Sequence, residues 1–222
     1  MITLDGMALI PDLSGALYAP DYEALLVADL HFEKGSSFAA RGVHLPPLDT
    51  RATLDALETV ITRHKPQRLI ALGDSFHDTR AGERIDPADM ARIRALSNLC
   101  DVIWLTGNHD GELPEGVGGQ TAAELALGPV TLRHIPSAPD GTMEIAGHLH
   151  PVASITRHGR RVRSRCFIGD ESRLVMPAFG AFTGGLHVLS PAFAAIFPKS
   201  HFTAWMIGTR AVHAFPASAL SP

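Results

Sequence analysis

Gly107-Asn108-His109-Asp110 stands one residue beyond Val102-Ile103-Trp104-Leu105, and the join between these two stretches decides the fold. A short continuous apolar run reads as a buried strand, while a glycine followed by three polar residues reads as a sharp turn carrying ligands. Working outward, the same join recurs. Ala24–Ala28 leads into Asp29-Leu30-His31, and Arg68–Leu72 into Gly73-Asp74. Val130–Arg133 ends on His134, and Met143–Ala146 leads into Gly147-His148-Leu149-His150. Each time, an oxygen or imidazole donor stands at the carboxyl end of an apolar strand, where open α/β sheets converge on a crevice. The glycines at 73, 107 and 147 let the backbone turn sharply there.

Helices fill the intervals. Asp49 to His64 places Leu54, Leu57 and Ile61 on one face, and Asp86-Pro87 opens a second helix whose stripe is Met90, Ile93 and Leu96 or Leu99. Asp86 can cap that helix, and Pro87 suits its first position. Strand–helix alternation predicts a parallel sheet covered by helices. Beyond about residue 128, Arg161–Ile168, Arg173–Met176, Leu186–Leu189 and Thr203–Ile207 join the two later strands already named. They predict a second, more antiparallel sheet packed face to face on the first. The expected class is α/β, with residues 1–222 forming one domain.

Composition narrows the function. The 222 residues are 45% hydrophobic, enough for a substantial core, and a net charge of −4 excludes a globally basic nucleic-acid binder. A polyanion would need a local patch. Residues 157–165 hold five arginines and no acid, and strand alternation sets Arg161, Arg163 and Arg165 on one face. Such a face contacts a phosphate backbone or is simply a solvated strand surface. Cys100 and Cys166 form no recognisable pair, which points to a reduced, cytoplasmic setting. No apolar run approaches the roughly 20 residues that span a bilayer, and the N-terminus carries no export pattern, so no membrane association is expected.

The donor set is Asp29, His31, Asp74, Asn108, His134, His148 and His150. Mixed Asp, Asn and His ligands suit borderline divalent ions such as manganese, iron(II), zinc or cobalt. An all-oxygen site would fit calcium or magnesium, and a structural zinc site would contain cysteine. Seven donors exceed one tetrahedral ion and match two ions sharing a carboxylate.

The series D-x-H, G-D, G-N-H-D, a lone H and G-H-x-H, across about residues 24–150, resembles the calcineurin-like metallophosphoesterase superfamily. The resemblance implies a four-layer αββα sandwich and two divalent ions, manganese first and zinc or iron as alternatives. It implies Asp29, His31 and His150 on the first ion, Asn108, His134 and His148 on the second, and Asp74 bridging. It gives His109 the role of protonating the leaving oxygen, with Asp110 orienting it. Many members carry a carboxylate three residues after the bridging aspartate; this chain has His77, for which a substrate contact is one reading. Lys34 is either a phosphate contact or a solvated loop charge.

Ala28–Gly35, Pro177–Gly180 and Thr183-Gly184-Gly185 are similar to the ligase-associated DNA damage response endonuclease branch of that superfamily. That implies a DNA phosphodiester substrate, with an ATP-dependent DNA ligase and a helicase as functional partners. A phosphatase or small-nucleotide phosphodiesterase would use the same metal site, and a catalytically dead scaffold would use the same fold.

Overall fold

The computed structural model describes residues 1–43, 48–109, 113–139, 141–197 and 201–222; Asp110 lies outside them. The first sheet contains β1 (Ile2–Leu4), β2 (Met7–Pro11), β3 (Leu17–Ala19), β4 (Ala24–Val27), β5 (Arg68–Leu72), β6 (Asp101–Leu105) and β7 (Gln120–Ala122), hydrogen-bonded in that order. The second contains β8 (Glu124–Leu127), β9 (Val130–Arg133), β10 (Glu144–Ala146), β11 (Pro151–Arg157), β12 (Arg160–Gly169), β13 (Arg173–Val175) and β14 (Leu186–His187). Its order is β14-β11-β12-β13-β10-β9-β8, with β15 (Thr203–Ile207) on β12 and β16 (Val212–Pro216) on β15. The helices are α1 (Lys34–Ala39), α2 (Asp49–His64), α3 (Ala81–Arg84), α4 (Pro87–Ala95) and α5 (Pro191–Ile196).

Strand alternation sorts each central strand between two cores. Leu25, Val27, Leu69, Ala71, Val102 and Trp104 pack on one side of the first sheet against Leu54, Leu57, Val60 and Ile61 of α2 and Met90 and Ile93 of α4. Leu26, Ile70, Leu72 and Leu105 point the other way and meet Leu132, Ile145, Phe167 and Leu174 of the second sheet. A third cluster, including Cys166, Ile168, Phe193 and Met206, closes the far face beneath α5. The layers are therefore helix, sheet, sheet and a thin helical cover. Leu57 is fully buried, and truncating it to alanine would cost about 2–5 kcal/mol.

In α4, Asp86 Oδ1 accepts from the Ala88 amide at 2.7 Å and Pro87 takes the first position. The stripe ends on Leu96, 1% exposed, not on Leu99, 57% exposed, because the helix tightens into a 3-10 turn over Leu96–Asn98.

The expected parallel run and the more antiparallel second sheet are both present, each with pairings beyond those expected. The first sheet is parallel only from β4 to β7; β1 to β4 run antiparallel, adding strands that the short N-terminal segments did not announce. The second sheet is mixed, with β10 parallel to both β9 and β13, and β11 parallel to β14. β10 pairs in parallel with β13 because the β11–β12 hairpin lies between them and returns the chain to the end of the sheet where β10 began.

Candidate functional site

Each strand join delivers its side chain to one crevice at the edge shared by both sheets. Asp29 and His31 follow β4, Asp74 follows β5 and Asn108 follows β6, while His134 follows β9 and His148 and His150 follow β10. Two groups of donors form there: Asp29, His31 and His150, and Asp74, His134 and His148, each with its donor atoms within 4.8 Å of one another.

In the first group, His150 Nε2 lies 3.3 Å from Asp29 Oδ1 and 3.4 Å from His31 Nε2. His150 Nδ1 donates to the Gly184 carbonyl at 3.2 Å, which leaves Nε2 with its lone pair facing inward. In the second, His134 Nδ1 donates to the Leu72 carbonyl at 2.9 Å. Around His134 Nε2 gather Asn108 Oδ1 at 2.9 Å, His148 Nδ1 at 3.2 Å and Asp74 Oδ2 at 3.3 Å. Four electron-rich atoms then converge. A proton satisfies one contact among them; a divalent cation satisfies all, so the residues fit a metal.

Asp74 spans the two groups. Its Oδ2 is 3.9 Å from His31 Nε2 and 3.3 Å from His134 Nε2, while its Oδ1 accepts from the His109 amide at 2.8 Å. Burial pushes the Asp74 carboxyl up, but the His134 hydrogen bond and charge, the His109 amide and His31 outweigh it and hold it down to about 2. It is therefore ionised at neutral pH. His31, 4% exposed, is driven down to about 3, first by burial and then by His150. Its Nδ1 has no hydrogen-bond partner. His31 is thus neutral and able to donate a lone pair.

Backbone strain marks the same positions. Asp29, His31, Asp74, His148 and His150 all adopt positive φ, between 46° and 71°. Such conformations cost of order 1–3 kcal/mol each and persist where surrounding structure imposes them. Glycine acts here in two ways. Gly73 turns at φ +77°, and a Cβ there would sit 2.5 Å from the His134 ring. Gly107 makes no such turn; a Cβ there would overlap the Asp74 amide and carboxylate, so glycine is required by close approach.

His109 belongs to neither group. It is 46% exposed, its Nε2 lies 4.0 Å from Asp74 Oδ2, and its ring stacks on His77 at 5.7 Å. His77 in turn packs edge-on to His31 at 5.4 Å and against Phe38 at 5.8 Å. Lys34, half-buried at the start of α1, is close enough for its charge to disfavour protonation of both His31 and His77. The arginines divide. Arg163 donates to the Gly185 carbonyl at 3.1 Å, next to the glycine that holds His150, and Arg161 donates to Ser154 Oγ at 3.2 Å. Arg165 turns inward, donating to the Ala178 carbonyl at 2.8 Å and the Ser14 carbonyl at 3.4 Å.

Sequence reasoning missed the backbone groups that aim the imidazoles, Leu72 and Gly184, and the buried support behind Lys34. There Thr50 Oγ1 donates to Glu33 Oε1 at 2.8 Å, and Asp49 Oδ2 accepts from the Gly35 amide at 2.9 Å. Pro177–Gly180 proves to be a strap along the backbone at Asp29: the amides of Phe179 and Gly180 donate to the Ala28 and Asp29 carbonyls at 2.8 and 3.2 Å.

The chain matches no protein-family model and no curated protein. Among solved structures it is similar to Pseudomonas putida nuclease MPE, with 32% identity, coverage of 96% of this chain and 98% of that one, and a TM-score of 0.74. Yfce, a phosphoesterase from E. coli, is more distant at 14% identity, 87% and 98% coverage, and a TM-score of 0.42. Identity at the level of the first, over nearly the whole of both chains and on a two-sheet fold carrying two Asp/His donor groups, places this chain in the family of the Pseudomonas nuclease, within the calcineurin-like metallophosphoesterases.

Proposed function

We propose that this protein is a two-metal phosphodiesterase that cuts DNA internally. The observation carrying this reading is the pair of donor groups joined by Asp74, in a chain similar to a nuclease across its whole length. Asp29, His31 and His150 would hold one divalent ion and Asn108, His134 and His148 the other, with Asp74 shared. Two ions so held polarise a phosphoryl oxygen, lower the pKa of water and offset the charge of in-line displacement. Manganese is the first candidate, ahead of zinc and iron.

The remaining chemistry belongs to the chain. His109, exposed and outside both groups, protonates the departing oxygen, and Asp110 orients its ring. His109 stands at the rim, so a long strand can lie across the site rather than thread into a closed pocket. The Arg161 and Arg163 side supplies local positive charge that the net −4 does not: burial first, and then these two arginines, disfavour the charged form of His187 beside them. Among the described residues no helix is long and apolar enough to cross a membrane. The reading carries with it a cytoplasmic setting, where free cysteines such as Cys100 and Cys166 stay reduced, and a DNA damage response shared with an ATP-dependent ligase and a helicase.

The test is a substrate panel on metal-stripped protein reloaded with manganese, zinc or iron: nicked and single-stranded DNA, RNA, cyclic nucleotides and phosphomonoesters. Internal cuts in DNA are expected with manganese. Turnover confined to monoesters or cyclic nucleotides would replace this reading with a phosphatase or small-nucleotide phosphodiesterase. Metal binding without turnover on any member would leave a scaffold.

A further inference from the structure

Helix α1 packs on His77 through Phe38 at 5.8 Å and brings Lys34 and Arg41 to one flank of the first donor group, and among the described residues none of the three makes an ion pair. Lys34 is half-buried and forms no ion pair within 4.0 Å among the described residues. Burial lowers its pKa, and Asp49 only partly offsets that. Asp49 itself is 4% exposed and already accepts from the Gly35 amide. His77 feels the positive charge of both Lys34 and Arg41, and its buried Nδ1 has no hydrogen-bond partner. Arg41 is exposed and makes no ion pair among the described residues. The nearest acid to His77, Asp78, is taken: it accepts from Arg84 Nη2 at 2.8 Å and from the Arg80 amide at 3.0 Å.

A half-buried lysine beside an exposed arginine, with no ion pair to either among the described residues, presents charge that an incoming anion can meet. The two groups that hold the site's own negative charge do not serve. Asp29 and Asp74 face the imidazoles of the donor groups. His77 links the cluster directly to the reaction centre, since its ring stacks on His109 and packs against His31. An anion bound by Lys34, Arg41 and His77 would therefore lie next to a phosphate at the metal groups, not on it.

We infer that Lys34, Arg41 and His77 form a subsite for the phosphate neighbouring the scissile one, so that this flank reads a polynucleotide by its adjacent backbone charge. The inference rests on the phosphodiesterase reading above and extends it to what distinguishes a polymer from a simple diester. Arg163 lies on the His150 side of the first donor group and Lys34 on the His31 side, so a strand crossing the site would meet positive charge on both flanks. Lys34 and Arg41 supply charge-assisted hydrogen bonds to non-bridging oxygens. His77 offers a neutral donor or acceptor at the junction.

The experiment uses the intact, manganese-loaded protein and two short single-stranded oligodeoxynucleotides, with cleavage scored only at one central linkage in each. In one, the flanking linkages are ordinary phosphates; in the other, they are uncharged methylphosphonates. Wild type is expected to show a KM about tenfold higher on the neutral-flank strand. Arg41→Ala and Lys34→Ala should raise KM on the charged strand and respond much less to neutralising the flanks, so that the two losses do not multiply. Metal content and circular dichroism check each variant's fold, and Arg41→Ala, being exposed, keeps the test valid if Lys34→Ala is damaged. Equal sensitivity to flank charge in wild type and variants would overturn the subsite, as would a wild type indifferent to it. A wild type that hydrolyses simple esters but neither oligonucleotide would overturn the nuclease reading, and the subsite with it.

Discussion

The His109 amide donates to Asp74 Oδ1 at 2.8 Å while Asp74 Oδ2 faces His134 Nε2 at 3.3 Å, so one carboxylate both anchors the turn after β6 and joins the two donor groups. Asp74→Asn keeps the size of the side chain and an acceptor for the amide, but removes the charge that two cations need. The expected outcome is a folded protein that has lost at least one metal and nearly all activity. Elemental analysis finding two tightly held ions in an active Asp74→Asn protein would exclude the bridging role.

His109 stands apart from both donor groups, so its removal should spare the metals. His109→Ala is expected to retain both ions and to slow cleavage about 10²–10⁴-fold when a nucleoside hydroxyl must leave. With p-nitrophenolate, which departs unprotonated, the loss should be small. Equal losses on the two leaving groups would reassign His109 to positioning.

The arginines of β12 should separate by assay. Replacing Arg161 and Arg163 with glutamine should weaken DNA binding and flatten its log–log salt dependence by about one unit for each phosphate no longer neutralised. Arg165→Gln should act on stability instead, because its guanidinium fastens the Ala178 and Ser14 carbonyls. A loss of about 1–3 kcal/mol is expected in urea unfolding. Unaltered binding at every salt concentration in the Arg161/Arg163 variant would reduce that face to a solvated strand.

Asp12 offers a titration away from the donor groups. Burial pushes its carboxyl up, but the Ser14 amide and hydroxyl, Arg63 at 2.6 Å and His64 at 3.2 Å outweigh that and hold it at about 2. A depressed pKa stabilises the fold above the unfolded value near 4, and the contribution fades as pH falls towards 2. Allowing for the exposure of Arg63, Asp12→Asn should cost about 1–2 kcal/mol at pH 7. The difference from wild type should shrink steadily below pH 4, and a constant difference between pH 7 and pH 3 would contradict the linkage.

How much was legible in the sequence follows from the physics of each part. The central strands and α2 were readable because short apolar runs and a 3.6-residue stripe report burial directly. The residues of the donor groups could be located because each follows the carboxyl end of an apolar strand within a few residues. The strands β1 to β3 were not, since three- to five-residue segments at a sheet edge carry too little alternation to stand out. The parallel pairings of β10 also escaped, because crossover connections leave no mark as local as a hairpin turn. The division among the arginines was equally hidden: alternation gave them one face, but only tertiary packing turns Arg165 to the Ser14 and Ala178 carbonyls.

Each donor group draws on both sheets: Asp29 and His31 come from the first and His150 from the second, while Asp74 comes from the first and His134 and His148 from the second. Each ion would thus add a cross-link between layers held together by apolar contact and by a few hydrogen bonds, such as that from His134 to the Leu72 carbonyl. Chelation should let the sandwich breathe at that rim. Amide hydrogen exchange after metal removal should accelerate in the turns at 29–33, 73–77 and 147–150, while the opposite end of the second sheet, around Gly169–Ser172 and Thr203, exchanges as before. The cofactors of the reaction would then double as rivets, and a cell short of the metal would hold a looser, more protease-sensitive protein as well as an idle one.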